Sequence, residues 1–101
     1  MTDKDLDKLR KEIDELDIKL LYLLNQRAEL VLQVAKIKLE GGKKLFDPTR
    51  ERDIFVNLTG KNPGPLTPDA IVRLFERVID ESRRLERTEV FDKKKDIKWL
   101  S

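Results

Sequence analysis

The sequence contains no cysteine and no histidine. Without cysteine there is no disulfide, no thiol nucleophile and no thiolate metal site. Without histidine the commonest general base and metal ligand is missing. Chemistry in this chain must therefore run on Lys, Arg, Asp, Glu and Ser. No apolar run approaches the ~18 residues of a membrane-spanning helix, and no secretory signal pattern is present. A soluble, cytoplasmic protein with no membrane partner is expected. A surplus of one charge sign is also missing: 42% of the residues are charged, yet the net charge is only +2. That balance excludes the strongly basic footprint of a nucleic-acid binder. With 101 residues, the chain is expected to form one small domain with a modest core.

Glycine and proline are absent from residues 4–40, which are rich in Leu, Lys and Glu. Apolar residues recur there at Leu6, Leu9, Ile13, Leu16, Leu20, Leu23, Leu30, Val34 and Ile37. Spacings of three and four predict one long helix with a coiled-coil-like seam, ended by Gly41-Gly42. At about 1.5 Å per residue it spans roughly 55 Å, whereas a compact domain of this size has a radius of gyration of about 13 Å. Its stripe is therefore expected to be buried in a second copy of the chain. Asp47-Pro48 and Thr67-Pro68 each read as a cap followed by a first-turn proline. They open a short helix to about Leu58 and a medium one to about Thr88, separated by the loop "GKNPGPL" at 60–66. The expected fold is all-α, with a long, a short and a medium helix and no strand. The closing "VFDKKKDIKWLS" has no assignment from its pattern.

Several polar residues occupy positions where a seam calls for apolar ones. Arg27 falls between Leu23 and Leu30, and a buried arginine is costly unless it is paired or snorkels to water. Lys38 follows eleven residues later, within roughly 20° of the same face and some 16 Å along the axis. Two long cations so placed can hold one small dianion between them. Arg10 is about 25 Å from Arg27 and rotated by roughly 100°. It reaches such a ligand only from a second, antiparallel copy.

In "FDPTRERD" (46–53), Arg50 and Arg52 lie near the positive end of a helix, where cations are disfavoured. Either Glu51 and Asp53 compensate them, or an anion sits there. On the third helix, Ser82 and Glu86 share the face of Phe75, Val78 and Ile79. A structural reading gives Ser82 a bond to a backbone carbonyl and pairs Glu86 with Arg83 or Arg27.

The ordered segments "LRKEIDELDIKLLYLLNQRAELVLQVAKIK", "FDPTRERD" and "LFERVIDESRRLE" resemble the all-helical chorismate mutases over roughly residues 5–88. The resemblance implies an intertwined homodimer whose two active sites each draw on both chains. It makes residues 1–90 the catalytic domain and 91–101 a tail. The implied reaction is the Claisen rearrangement of chorismate to prephenate, on the route to phenylalanine and tyrosine, with no cofactor and no metal. Arg27 and the partner's Arg10 would hold the substrate carboxylates, and Lys38 would meet the ether oxygen and a carboxylate. Glu51 and the region of Asp47 would take the ring hydroxyl, and Ser82 a carboxylate. Arg50 would line the site, with Val34, Ile54 and Ile79 as apolar wall. Catalysis would rest on Lys38, Glu86 and Arg27.

Two positions depart from the family pattern. Well-known bacterial members carry Gln where this chain has Glu86, although others carry Glu. An amide donates a hydrogen bond at any pH, whereas a carboxyl must be protonated to do so. Desolvation favours the protonated form of Glu86, while Lys38 and Arg27 favour the ionised one. Arg83 stands where relatives often have an apolar residue. Three rival readings remain: an isochorismate–pyruvate lyase with the same fold, a non-catalytic regulatory dimer of an aromatic-biosynthesis enzyme, and a plain coiled-coil dimer.

Overall fold

Each helix begins where a side chain satisfies its first free amides. In the computed structural model, which describes residues 2–93, α1 (Asp3–Glu40), α2 (Pro48–Lys61) and α3 (Pro68–Glu86) follow in order. A π-helical turn, Arg87–Phe91, continues α3. At the start of α1 the Thr2 hydroxyl accepts from the Asp5 amide at 3.3 Å, and Asp5 Oδ2 accepts from the Thr2 amide at 2.9 Å. This is a reciprocal capping box with Asp in place of Glu. The Thr2 amide, and after it the Thr2 hydroxyl, holds the Asp5 carboxyl below its ordinary value. That capping contribution is complete above the ordinary carboxylate pKa and is lost as pH falls through the lowered one. Asp47 Oδ1 caps α2 through the Arg50 amide at 3.0 Å, and Thr67 Oγ1 caps α3 through the Ala70 amide at 3.2 Å.

The chain divides into two compact units, one ending at Leu30 and one starting at Val31. In the first, the seam of α1 is open to solvent: Leu9 is 45%, Leu16 61% and Leu23 59% exposed. Covering the exposed seam leucines and Ile13 between Leu6 and Leu30 would be worth on the order of 10 kcal/mol, comparable with the whole stability of a small domain. No helix among the described residues is long and apolar enough to cross a membrane.

The second unit contains the end of α1, α2, α3 and the π-helical turn, with α2 packed on α3. Its buried apolar residues are Ala35, Ile79 and Val90. The end of α1 is a Schellman closure: the Lys43 amide donates to the Lys38 carbonyl at 2.8 Å and the Gly42 amide to the Leu39 carbonyl at 3.2 Å. Gly42 adopts φ +67°, a left-handed conformation that a Cβ penalises. Gly42→Ala is expected to cost about 1 kcal/mol, measured as a lower melting midpoint at fixed concentration. Gly41→Ala serves as the control, since its φ is ordinary and its added Cβ would sit 3.4 Å from the Ile37 carbonyl.

Two boundaries differ from the sequence pattern. α2 continues three residues beyond Leu58, through Gly60 to Lys61. The stop is set by Pro63, which holds Asn62 extended at ψ 117°, while the mid-helix glycine costs only ~1 kcal/mol. The Asn62 side chain then ties the loop, donating to the Leu66 carbonyl at 2.7 Å and accepting from the Gly64 amide at 3.1 Å. α3 does not run to Thr88 as its pattern suggests; regular α geometry ends at Glu86 and passes into the π-helical turn, which buries Val90. The first tail residues are thus helical, and Lys93 pairs with Glu89 at 2.6 Å. Ile97, Trp99 and Leu100 lie outside the described residues.

Candidate active site

Lys38 is placed by the way α1 ends. Its carbonyl accepts the long bond of the Schellman closure, so its backbone is fixed at the start of the last turn. Its side chain then reaches the following segment, where Nζ donates to the Leu45 carbonyl at 3.2 Å. Nζ also lies 3.7 Å from Glu86 Oε2 of α3. Both side chains are largely withdrawn from water, with 19% and 9% exposure. At that distance the attraction is about 4 kcal/mol at an effective dielectric of 20, and desolvation offsets much of it. The pair therefore contributes a fixed cation in a half-buried place more than it contributes stability. At 3.7 Å it is an ion pair and too long for a hydrogen bond, so an oxygen of another molecule has a donor to meet.

The beginning of α2 brings the second group. Asp47 is the cap, and one turn later Glu51 faces α3, where its Oε1 meets Arg83 Nη2 at 3.3 Å. Arg83 Nη2 also meets Asp80 Oδ1 at 2.8 Å, and the guanidinium carbon stands 5.2 Å above the centre of the Phe46 ring. Arg50 is exposed, as are Arg52 and Asp53. Of the two explanations for the arginines of "FDPTRERD", compensation by Glu51 is weakened, because Glu51 turns to Arg83 instead.

On α3 the Ser82 hydroxyl donates to the Val78 carbonyl at 2.8 Å, the bond of the structural reading. To donate to a carboxylate, the hydroxyl would have to turn away from the Val78 carbonyl. Ile79 is buried, Ile54 half-buried and Val34 47% exposed. The second unit thus holds Lys38 with Glu86, and Asp47 with Glu51, within named contacts of their neighbours. Arg10 and Arg27 belong to the first unit, Arg10 exposed and Arg27 half-buried. Of the two partners offered for Glu86 by the sequence, Arg83 is engaged by Asp80 and Glu51. Lys38 near Glu86 was already implied by the family resemblance, and the packing gives the contact its 3.7 Å. Arg83 was visible as a departure from the family pattern, and its three-residue spacing from Asp80 was the available clue. Among the described residues no group of three or more acidic side chains could hold a metal ion.

Residues 9–87 match the family model described as chorismate mutase type II. The bifunctional chorismate mutase/prephenate dehydratase of Aquifex aeolicus is 34% identical over 88 residues, covering 83% of this chain and 24% of that protein. The Escherichia coli K12 protein of the same description is 41% identical over 75 residues, covering 73% of this chain and 19% of that protein. The chain thus spans about a quarter or less of the length of these curated relatives. Among solved structures, chorismate mutase (form II) from Thermus thermophilus superposes with a TM-score of 0.82 at 34% identity, covering 83% of this chain and 96% of that one. Chorismate mutase from Helicobacter pylori in complex with prephenate gives 0.76 at 33% identity, covering 81% and 89%.

Proposed function

The chain belongs to the type II chorismate mutase family, and on that premise we propose that it converts chorismate to prephenate in the cytoplasm, on the route to the aromatic amino acids. The observation that carries the reading is the half-buried Lys38 ammonium, held by Glu86 and the Leu45 carbonyl. A pericyclic rearrangement needs no nucleophile, no obligatory proton transfer and no cofactor, which suits a chain without His or Cys. Two things accelerate it. One is confinement of a flexible dianion to its compact reactive conformer. The other is a cation placed where negative charge grows on the ether oxygen as the C–O bond breaks.

In this reading Lys38 meets the ether oxygen and a carboxylate, and Arg27 meets a carboxylate. A second copy of the chain covers the open seam of α1 and lends its Arg10 to the same ligand. Glu51 accepts the ring hydroxyl beside Asp47, Ser82 meets a carboxylate, and Arg50 lines the approach. Val34, Ile54 and Ile79 form the apolar wall. The direct test is the loss of chorismate absorbance on adding purified protein, with isochorismate offered in parallel and the mass in solution measured alongside. No chorismate consumption overturns the assignment, and a monomeric active species overturns the shared site.

Glu86 gives the site a pH dependence that an amide would not. Only the protonated carboxyl donates to the ether oxygen, so activity is complete below the Glu86 pKa and falls as pH rises through it. Glu86→Gln is expected to flatten the kcat profile between about pH 5 and 8. A wild-type profile already flat over that range would remove the proton from the mechanism.

A further inference from the structure

We infer that Arg83 is a positioning residue that acts on the substrate through Glu51. The inference rests on the mutase reading, since it assigns the orientation of a side chain that meets the ring hydroxyl there. The helix α2 begins with Phe46 just before its cap and Glu51 in its fourth position. In many helices these two positions carry apolar residues that touch and fix the angle of chain entry. Here one of them is a carboxylate, and the contact is supplied from α3. Arg83 places its guanidinium over the Phe46 ring at 5.2 Å and its Nη2 against Glu51 Oε1 at 3.3 Å. Asp80, one turn back on α3, anchors the same nitrogen at 2.8 Å.

The arrangement has a chemical consequence. An ionised carboxylate has two oxygens and only accepts hydrogen bonds. With Oε1 occupied by Arg83, Oε2 is left to receive a hydroxyl, and the side chain is held in one rotamer before substrate arrives. The Arg83 Nε is buried without a hydrogen-bond partner in the described residues. It lies on the same edge of the guanidinium as Nη2, so a small turn of Glu51 makes the contact two-pronged. An apolar residue at this position would leave Glu51 to choose among its own rotamers. An arginine specifies one, and lysine cannot reproduce the planar fork.

The test is a cycle of Arg83→Met, Glu51→Gln and the double variant, with Arg83→Lys beside them. For a partly exposed pair, Arg83→Met is expected to lower kcat/KM for chorismate about fivefold. It is expected to add no further loss in the Glu51→Gln background, and Arg83→Lys to recover part of the loss. A merely structural role would give equal losses in both backgrounds, and that outcome overturns the inference, as does an unchanged kcat/KM in Arg83→Met. Where Arg83→Met melts early, Arg83→Gln replaces it, keeping a donor without the charge. Should the wild-type protein consume no chorismate, the mutase reading falls separately. The same four proteins then report coupling through their melting midpoints, and additive midpoints overturn the Arg83–Glu51 link itself.

Discussion

Lys38→Ala is expected to lower kcat for chorismate about 10²-fold or more, the usual worth of one preorganised donor aimed at developing charge. That factor corresponds to about 2.7 kcal/mol at the transition state. The loss should fall mainly on kcat, because the arginines proposed to bind the carboxylates remain and the missing interaction strengthens only as the ether bond opens. The variant has a second effect that must be separated from the first. Glu86 is buried, and removing the lysine takes one cation from a buried ion pair, a change that destabilises. Lys38→Ala should therefore also melt earlier. The double variant Lys38→Ala/Glu86→Gln removes the buried carboxylate's charge while still lacking the cation. Recovery of the melting midpoint without recovery of kcat assigns the kinetic loss to the ammonium. A rate within about twofold of wild type in Lys38→Ala would instead remove the site, since it leaves no room for a term of this size.

A comparable loss, about 10²-fold, is expected of Arg10→Ala, but for a different reason. In the proposed dimer Arg10 serves the partner's site, while Lys38 serves the site of its own chain. Each single variant then makes a homodimer with two defective sites. When the two are mixed, unfolded and refolded together at equal amounts, half the dimers are mixed. In each mixed dimer one site carries both lesions and the other carries neither. The mixture should therefore recover about a quarter of wild-type activity from two nearly inactive stocks, as an isologous pair requires. No recovery, with mixed dimers demonstrated by mass, would place Arg10 and Lys38 in the same chain's site or take Arg10 out of it. The measurement asks for chorismate turnover before and after co-refolding, and needs no knowledge of substrate pose.

Helix identity was legible in the sequence because local chemistry decides it. Asp47-Pro48 and Thr67-Pro68 state where α2 and α3 begin, and Gly42 states where α1 ends. The end of α2 is less legible: Gly60 reads as a breaker, although a solvent-facing glycine is tolerable and Pro63 is the true stop. The π-helical turn after Glu86 left no mark on the spacing of apolar residues, since inserting it shifts only where Val90 points. The site divides in the same way. Ser82 and Glu86 stand out on the apolar face of α3 and Lys38 by its angle from Arg27, whereas a site role for Glu51 came only from the family resemblance. Which partner each one takes depends on how α2 meets α3. The turn of Glu51 toward Arg83 therefore came only with the packing, whereas Lys38 beside Glu86 was already implied by the family resemblance.

The Schellman closure at Gly42 ties two time scales together. Lys38 supplies the carbonyl that the Lys43 amide must leave for the helix end to open. Every opening of that bond frees the backbone from which the ammonium is aimed. The exchange of the Lys43 amide with solvent deuterium thus counts how often the cation loses its bearing. Slow exchange at that single amide would mark an ammonium held still by the chain's own termination signal, well before any ligand is present.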